Sequence, residues 1–583
     1  MGSNEKFGGH GSPNNGEMTR FDDLMEEIGT KGRWNLTVLI VCCAIAFVAP
    51  LQNLSYEFLG AIPDHWCQVP QLEQLGWSQE KIREIGIPKT NDSKPETCLM
   101  YDFSDIDPSQ NGTIDQSKSR PIVACTSRVF NLSQYSTTVV TKWDLICEDE
   151  SIHGTLMSLT LVGKMLGAFI YGYLLDVFGR NQVIKMCSML MMFSGFMDAA
   201  SPNLFLHILL RLTISSMAMG AYLGSFILAM ELCTESQRSF FGPMFVLPHA
   251  FGHMLLPAIA YLVRNWQWLQ ATLTIPAVIL FAYLWLLPES FRWLLLEGFH
   301  EQALDQIQFA AKINRQRTRD RESLLKSCES IKLANKETEP ETTIRDRCTF
   351  RVCGLVLIPH LRTRTWIVNT CWFTLGLIYF SVGVSLNRHH ISEDPYMFMF
   401  YEGLIEIPAY LILWPAIIFL GRRMSLIASY IILAASIALV TILTYFPNIE
   451  PVGPTIVFSL LGKLTLTSVY HLMYIYTAEL FPTKYRAHAV GQGVVIEGVG
   501  TILCPYFIKL FSMVTVWTPS VLFVIILLVT AGFVILLPET NHKDDMAEET
   551  HLYKTNHDHP HIPTRALHFS MTKRAQQTEY VLC

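Results

Sequence analysis

The sequence predicts an all-α membrane protein whose twelve transmembrane helices form two groups of six. Half of its 583 residues are hydrophobic and only 16% are charged, which is typical of proteins that cross a membrane many times. Apolar runs long enough to span about 30 Å of hydrocarbon occur on both sides of one long polar segment. The predicted helices cover residues 34–54, 153–175, 182–202, 203–230, 241–263, 268–288, 364–386, 396–420, 424–446, 452–477, 488–512 and 518–538.

The charges in the loops between these runs set the expected orientation. Lys and Arg are enriched in the cytoplasmic loops of membrane proteins. One side of the predicted membrane carries Arg180, Lys185, Arg238, Arg422, Arg423, Lys484 and Arg486, and the other carries Arg264, Arg388 and Lys509. We therefore expect a multi-pass protein of the plasma membrane with both termini in the cytoplasm. The first forty residues lack the apolar core and cleavage site of a secretory signal, so the first helix is expected to direct insertion.

Five regions follow from this layout. They are a cytoplasmic N-terminal segment 1–33, a six-helix half 34–288 with a large extracellular loop 55–147, a cytoplasmic central loop 289–363, a second six-helix half 364–538, and a cytoplasmic tail 539–583. Apolar residues recur at helical spacing between 303 and 311, which predicts short amphipathic helices beside the membrane.

The extracellular loop carries the signs of an oxidising compartment. Its four cysteines, Cys67, Cys98, Cys125 and Cys147, favour two disulfides, and three connectivities are open. The loop also holds three glycosylation acceptor sequences, which begin at Asn91, Asn111 and Asn131. Their predicted side of the membrane agrees with the charge argument.

Residues 163–180 (GKMLGAFIYGYLLDVFGR) predict a close helix contact that ends in a charge pair. Recurring Gly and Ala leave one helix face bare, which allows a neighbouring helix to approach closely. Asp176 and Arg180 lie four residues apart, on one face and at the membrane boundary. Residues 414–423 (WPAIIFLGRR) repeat the pattern in weaker form, so the two halves are expected to be related.

Several segments of the chain resemble a known family. Residues 172–180 (GYLLDVFGR) resemble the loop signature of the major facilitator superfamily between its second and third helices. Residues 141–147 (TKWDLIC), 287–294 (LPESFRWL) and 476–483 (YTAELFPT) are similar to elements of solute carrier family 22, the organic ion transporters. This resemblance spans nearly the whole chain. It implies the major facilitator superfamily fold and a transport function.

The resemblance also suggests a cytoplasmic gate made of charged residues. The expected gate residues are Asp176, Arg180, Glu479, Arg486, Arg422 and Arg423. Charges within the membrane are costly unless they face a cavity or a partner, and on that ground Glu406 and Glu497 are the candidates for binding a substrate. Glu497 shows no obvious partner on its own helix, and a structural pair with Lys463 is the alternative to a substrate role.

The substrate class follows from the same resemblance. Anion transporters of this family typically carry a Lys soon after the acidic residue of helix eight and an Arg in helix eleven. Tyr410 and Gly498 stand at these two places. Residues 406–414 (EIPAYLILW) instead resemble the organic cation and carnitine branch. Candidates for cation–π contacts with such a substrate, besides ordinary helix packing, are Trp372, Tyr379, Tyr410, Tyr470 and Tyr474.

The sequence thus predicts a secondary carrier of organic cations or zwitterions such as carnitine, which works by alternating access. The alternatives are a non-transporting receptor or scaffold on a carrier fold and an organic anion transporter. No cofactor is expected, while the coupling ion, Na⁺ or H⁺, is left open. The expected partners are the substrate and the lipid bilayer. The residue patterns do not favour nucleic-acid binding, an enzyme or a metal centre.

Overall fold

The computed structural model describes residues 28–29, 32–74, 76–88, 96–103, 120–233, 235–326, 328, 359–388, 394–445, 452–481 and 483–540. The acceptor sites Asn91 and Asn111, part of the central loop and nearly all of the tail lie outside these described residues.

The chain enters the bundle through α1 (Arg33–Asn53) and then builds a small loop unit. That unit contains α2 (Tyr56–Leu59), β1 (His65–Cys67), α3 (Pro70–Gln74), α4 (Gln79–Gly86), β2 (Leu99–Tyr101), β3 (Ile122–Ala124), β4 (Arg128–Phe130) and α5 (Val139–Trp143). Strand β1 pairs antiparallel with β4, and β2 pairs antiparallel with β3.

Two disulfides hold this loop unit together. Cys67 pairs with Cys125 and Cys98 pairs with Cys147, with Cα–Cα distances of 5.4 and 5.7 Å. The structure thus selects one of the three connectivities that the sequence leaves open. Asn131 follows β4 and is exposed, which is a requirement for a glycosylation acceptor.

The first half continues with long helices. They are α6 (Glu150–Phe178), α7 (Arg180–Ala199), α8 (Leu204–Glu231), α9 (Glu235–Leu262), and α10 (Trp266–Thr274), which runs through a 3₁₀ segment (Ile275–Ala282) into α11 (Tyr283–Leu286). Two further helices follow, α12 (Phe291–Glu297) and α13 (His300–Asn314). Ala303, Ile307 and Ala310 are fully buried on one face of α13, in the pattern that their helical spacing predicts.

The second half contains α14 (Pro359–Arg388), α15 (Pro395–Tyr445), α16 (Val452–Leu480), α17 (Thr483–Ser512) and α18 (Thr518–Val534). Eight helical stretches among the described residues are long and apolar enough to cross a membrane. One of them, α15, is 51 residues long and has a non-helical backbone at Gly421. That glycine lies between the predicted helices 396–420 and 424–446, and the loop expected between them is reduced to this one turn.

Single glycines make the same turn in both halves. Gly179 lies between α6 and α7 with φ 89° and ψ 159°, and Gly421 has φ 79° and ψ 174°. This backbone region is essentially open only to glycine. A Cβ atom at Gly179 would lie 2.6 Å from the Glu289 carboxylate, and one at Gly421 would lie 2.7 Å from that of Glu539. The internal repeat is therefore visible in the backbone and in the acid that each glycine contacts.

The bare face of α6 packs against helices of both halves. A Cβ atom at Gly163 would lie 2.8 Å from the backbone oxygen of Leu212 in α8. Further along, a Cβ atom at Gly491 of α17 would lie 2.6 Å from the backbone oxygen of Ala168. One helix of the first half therefore touches a helix of the second half backbone to backbone.

Candidate functional site

An ion pair joins the two halves near the middle of α6 and α17. The Lys164 Nζ atom lies 3.0 Å from Glu497 Oε2 and donates to the Tyr470 hydroxyl at 3.1 Å. The Glu497 side chain is only 4% exposed, whereas that of Lys164 is 22% exposed. Glu497 is thus not the unpaired acid that its own helix suggests, because its partner comes from another helix.

Lys463 is not that partner. Its Nζ atom lies 3.3 Å from Glu402 Oε1 and 5.3 Å from the ring centroid of Tyr379. The alternative of a structural pair between Glu497 and Lys463 is therefore wrong. Among the described residues, two Lys–Glu pairs lie in the interior, and the one that contains Glu497 crosses between the halves.

The glycines beside Glu497 do not leave an empty space. A Cβ atom at Gly493 would lie 2.6 Å from carbon atoms of the Trp372 ring, and one at Gly498 would lie 2.6 Å from the sulfur of Met165. These two side chains fill the space beside the glycines. Because Lys164 is partly exposed, its side is where a ligand can approach Glu497.

Three of the aromatic candidates form one group beside this ion pair. Trp372, Tyr470 and Tyr474 contact one another, with ring centroids 5.0 to 6.2 Å apart. The Trp372 indole N–H donates to a threonine hydroxyl, and its side chain is fully buried. We call these three rings the aromatic wall. Together with Lys164 and Glu497 they make up what we call the central site.

Glu406 occupies a separate cluster that also joins the halves. His249 and His253 of α9 each place Nδ1 3.1 Å from one of its carboxylate oxygens. The hydroxyl of Tyr410, the fourth aromatic candidate, lies 3.2 Å from the same carboxylate and 2.8 Å from His471 Nε2. We call these five residues the histidine cluster. Glu406 is thus already bound by imidazole rings, which the sequence did not indicate.

Three polar side chains of the interior are partly accessible, and we call the end of the bundle where the disulfide-bonded loop lies the loop end. Tyr379, the fifth aromatic candidate, contacts the Tyr470 ring and yet is 36% exposed. It lies on the part of α14 that leads to the loop end. The side chains of Lys164 and His249 are 22% and 26% exposed. The central site and the histidine cluster thus each contain one partly accessible side chain, and we call the space beside these side chains the cleft.

At the opposite end, which we call the arginine end, the two halves touch each other. The rings of Phe240 in α9 and Trp414 in α15 meet there with centroids 5.4 Å apart. A Cβ atom at Gly172 of α6 would lie 3.4 Å from the backbone oxygen of Ala487 in α17. At the arginine end the two halves are therefore in direct contact.

Most of the expected gate residues form two matching clusters at the arginine end. Arg180 lies 3.1 Å from Asp176 and 3.0 Å from Glu231, and in the other half Arg422 lies 3.1 Å from Glu479. Arg180 and Glu231 are almost completely buried. Glu231 is therefore a member of this cluster that the sequence did not indicate.

The carboxylates of Glu289 and Glu539 complete the same two clusters by accepting hydrogen bonds from backbone N–H groups. Glu289 accepts from the N–H of Arg180 at 2.9 Å, and Glu539 accepts from the N–H of Arg422 at 2.8 Å. Burial raises the pKa of the Glu289 carboxyl, and backbone N–H donors offset part of that rise. Each acid also fixes the glycine turn beside its arginine.

Arg486 and Arg423 bind backbone carbonyls among the contacts that the structure describes. The Arg486 Nε atom donates to the carbonyl of Ala478 at 2.6 Å, and Arg423 donates to the carbonyl of Leu537 at 3.2 Å. Both carbonyls lie near the end of an apolar segment, so these two arginines help to terminate helices at the arginine end.

The comparisons with known proteins agree with this architecture. Residues 117–549 match the family of sugar (and other) transporters. The organic cation transporter protein of Drosophila melanogaster is 30% identical over 531 residues, which is 90% of this chain and 92% of that protein. The chain belongs to solute carrier family 22 of the major facilitator superfamily. Human organic cation/carnitine transporter 2 is 28% identical over 537 residues, which is 90% of this chain and 92% of that protein.

A solved structure shows the same fold. The proton:xylose symporter XylE, bound to 6-bromo-6-deoxy-D-glucose, superimposes with a TM-score of 0.60 over 87% of this chain and 96% of that chain, at 14% identity. The predicted fold of twelve membrane helices in the major facilitator superfamily is confirmed. As a member of this superfamily the chain is a membrane transporter and not an enzyme.

Sequence reasoning missed several polar residues of this carrier's interior. They are Lys164, Glu402, His249, His253 and His471. A signal was present, because each is an ionisable residue inside an apolar helix, which by itself marks a functional candidate in a membrane. Lys164 even lies within the glycine-rich stretch that predicts the close packing of α6.

The gate clusters yield a matched pair of variants. Glu231→Gln removes a fully buried partner of Arg180, and a broken buried pair costs about 3–5 kcal/mol. Asp176→Asn removes a partner whose side chain is 17% exposed, and in that variant Arg180 keeps its buried partner Glu231, so the loss should be smaller. We expect the thermal unfolding midpoint of the detergent-purified carrier to fall clearly in Glu231→Gln and little in Asp176→Asn. Equal midpoints for the two variants would contradict this assignment.

Proposed function

We propose that this transporter carries organic cations or zwitterions such as carnitine by alternating access of its two six-helix halves. The observation that carries the proposal is the pair of Lys164 and Glu497. It spans the halves, lies beside the aromatic wall and borders a cleft. A carboxylate whose counter-ion is a flexible lysine side chain is suited to exchange that lysine for the cationic group of a substrate.

The charges of the interior favour a cation over an anion. Each described lysine there, Lys164 and Lys463, is neutralised by its own glutamate. Glu406 is left with histidines, which are neutral or singly charged near neutral pH. With neutral rings, the two lysines and the three glutamates together carry one net negative charge. An organic anion would have to bind against that charge, whereas a cation or zwitterion would not.

The aromatic rings support the same class of substrate. A quaternary ammonium group has no N–H to donate, so it is recognised by carboxylate charge and by ring faces. Tyr470 and Tyr379 line the cleft next to Glu497 and Lys463. A zwitterion would in addition place its carboxylate on Lys164.

The two ends of the bundle fit the roles that alternating access requires. We place the loop end outside, because disulfides persist in an oxidising compartment, and the arginine end in the cytoplasm at the plasma membrane, with both termini there. The clusters of Arg180 and Arg422 then hold the helix ends that form the cytoplasmic gate. Contact between the halves at the arginine end and the accessible side chains beside the central site support a carrier that faces outwards.

Uptake into proteoliposomes tests the proposal and the role of Glu497. Labelled tetraethylammonium and labelled carnitine should accumulate through the wild-type protein. Glu497→Gln should weaken the binding of tetraethylammonium by about 1–3 kcal/mol, the range for a lost charged partner, which is about 5- to 150-fold in affinity. Glu497→Asp should keep part of the affinity.

Two outcomes would speak against this role. Unchanged affinity in folded Glu497→Gln protein would remove Glu497 from the binding site. Absence of uptake of either substrate by folded wild-type protein would favour a receptor or scaffold.

Lys164→Met should restore the thermal stability that Glu497→Gln loses, since it removes the lysine left without its partner. Lys463→Met is the matched control, which should not restore it.

Lys164 distinguishes zwitterions from simple cations. In Lys164→Gln, Glu497 no longer has an internal competitor, so tetraethylammonium should bind more tightly. Carnitine should bind more weakly, because its carboxylate loses the cation of the central site. Equilibrium binding of both ligands to purified protein measures this difference. Shifts of both affinities in the same direction would contradict the assignment of Lys164 to the substrate carboxylate.

A further inference from the structure

The histidine cluster joins the two halves through one carboxylate. His249 and His253 belong to α9 of the first half, and Glu406 belongs to α15 of the second. Each ring places its Nδ1 atom on a different oxygen of Glu406. The two halves are therefore tied at this point by a contact whose charge depends on the protonation of imidazole.

The contacts of this cluster leave a defined place for a proton. Both Nδ1–H groups can donate to the carboxylate while the rings are neutral, so an added proton must go to an Nε2 atom. The Nε2 atom of His253 is buried and makes no hydrogen bond to any described residue. His249 is 26% exposed and connects the cluster to the cleft. A proton can thus arrive from water at His249 and neutralise Glu406 as an imidazolium–carboxylate pair.

Among the titratable groups in and around the cluster, the histidines are the ones suited to exchange a proton near neutral pH. The groups that face the cluster are Glu57 on α2, Tyr222 on α8, Tyr379 on α14, Glu402 on α15, and Lys463 and Tyr470 on α16. Lys164 and Glu497 of the central site lie one contact further away, beyond Tyr470. Both lysines have their own glutamates. Ordinary imidazole titrates at about pH 6.5, closer to neutrality than the side chains of Lys, Glu, Tyr or Cys.

A chain of contacts links the histidine cluster to the central site. Glu406 contacts the Tyr410 hydroxyl, which contacts His471 Nε2 at 2.8 Å. The His471 ring lies 5.3 Å from the Tyr470 ring, and the Tyr470 hydroxyl accepts from Lys164. A positive charge beside Tyr470 is therefore close enough to disfavour a second positive charge on the histidines in a poorly solvated interior.

We propose that the pair of histidines around Glu406 binds a proton and gives it up when an organic cation occupies the central site. This inference rests on the proposed function and adds its coupling ion. In the outward-facing form, the cation enters from the cleft and the proton leaves from Nε2 of an imidazole to the water outside. In the inward-facing form the cation leaves and a proton binds again. One cation moves in as one proton moves out.

Sodium fits this site poorly. Hard metal cations bind oxygen ligands, and both oxygens of Glu406 already accept from imidazole. A proton, in contrast, can bind to the imidazole nitrogen atoms that lie on both sides of this carboxylate.

Proton movement and pH-dependent uptake test the coupling in proteoliposomes. Addition of tetraethylammonium outside should alkalinise the lumen, followed with a trapped pH dye, and an acidic lumen should accelerate uptake. The apparent KM should rise by up to about tenfold per unit fall in external pH, as one competing proton requires. The residual uptake of His249→Gln and His253→Gln should lose this pH dependence, while the loop variant His65→Gln keeps the wild-type profile.

Three other results would overturn the coupling. In the first, the wild-type protein takes up tetraethylammonium without any change in luminal pH. This result would leave the proposed function intact, and it does not depend on a variant that folds. Uptake driven by a sodium gradient and insensitive to pH would overturn it as well. Absence of uptake under every gradient would overturn the proposed function together with the coupling.

Discussion

Pairing of charge across two helical halves is the constraint on which this structure depends. The interior is poorly solvated, so a lone lysine or carboxylate there would cost several kcal/mol. Lys164 and Glu497 offset that cost by pairing with each other. Glu406 offsets it through its contacts with two histidines. Because the members of each pair lie on different halves, their neutralisation depends on how the halves are arranged. A charge brought by a substrate or a proton then changes which arrangement is stable.

At the arginine end the charges are also paired, but each pair lies within one half. Arg180 and Arg422 find their acids within their own halves, so these clusters stay intact when the halves move as units. The glycine turns at positions 179 and 421, each held by a glutamate, repeat this construction. Contact between the halves at this end comes instead from the backbone approach of α6 to α17 and from aromatic rings. These described contacts can separate without breaking the ion pairs of Arg180 and Arg422.

The fold could be predicted from the sequence because hydropathy and helix-turn motifs are local. Apolar runs locate the helices. The ion pair of Asp176 and Arg180 can be predicted because the two residues lie four positions apart on one helix face. The partner of Glu497 could not be read in this way, because Lys164 lies 333 residues away and only tertiary packing brings the two together. The histidines around Glu406 carried a signal in their apolar surroundings, but their convergence on one carboxylate depends on the packing of α9 against α15.

The central claim is that the cationic group of a substrate replaces Lys164 at Glu497. An experimental structure of the carrier with bound tetraethylammonium, determined by electron cryomicroscopy in lipid nanodiscs, tests it most directly. The account predicts ligand density beside Glu497 and the aromatic wall, with Lys164 displaced beyond the ion-pair distance of about 4 Å. Ligand density elsewhere in the protein, with the pair of Lys164 and Glu497 intact, would contradict it.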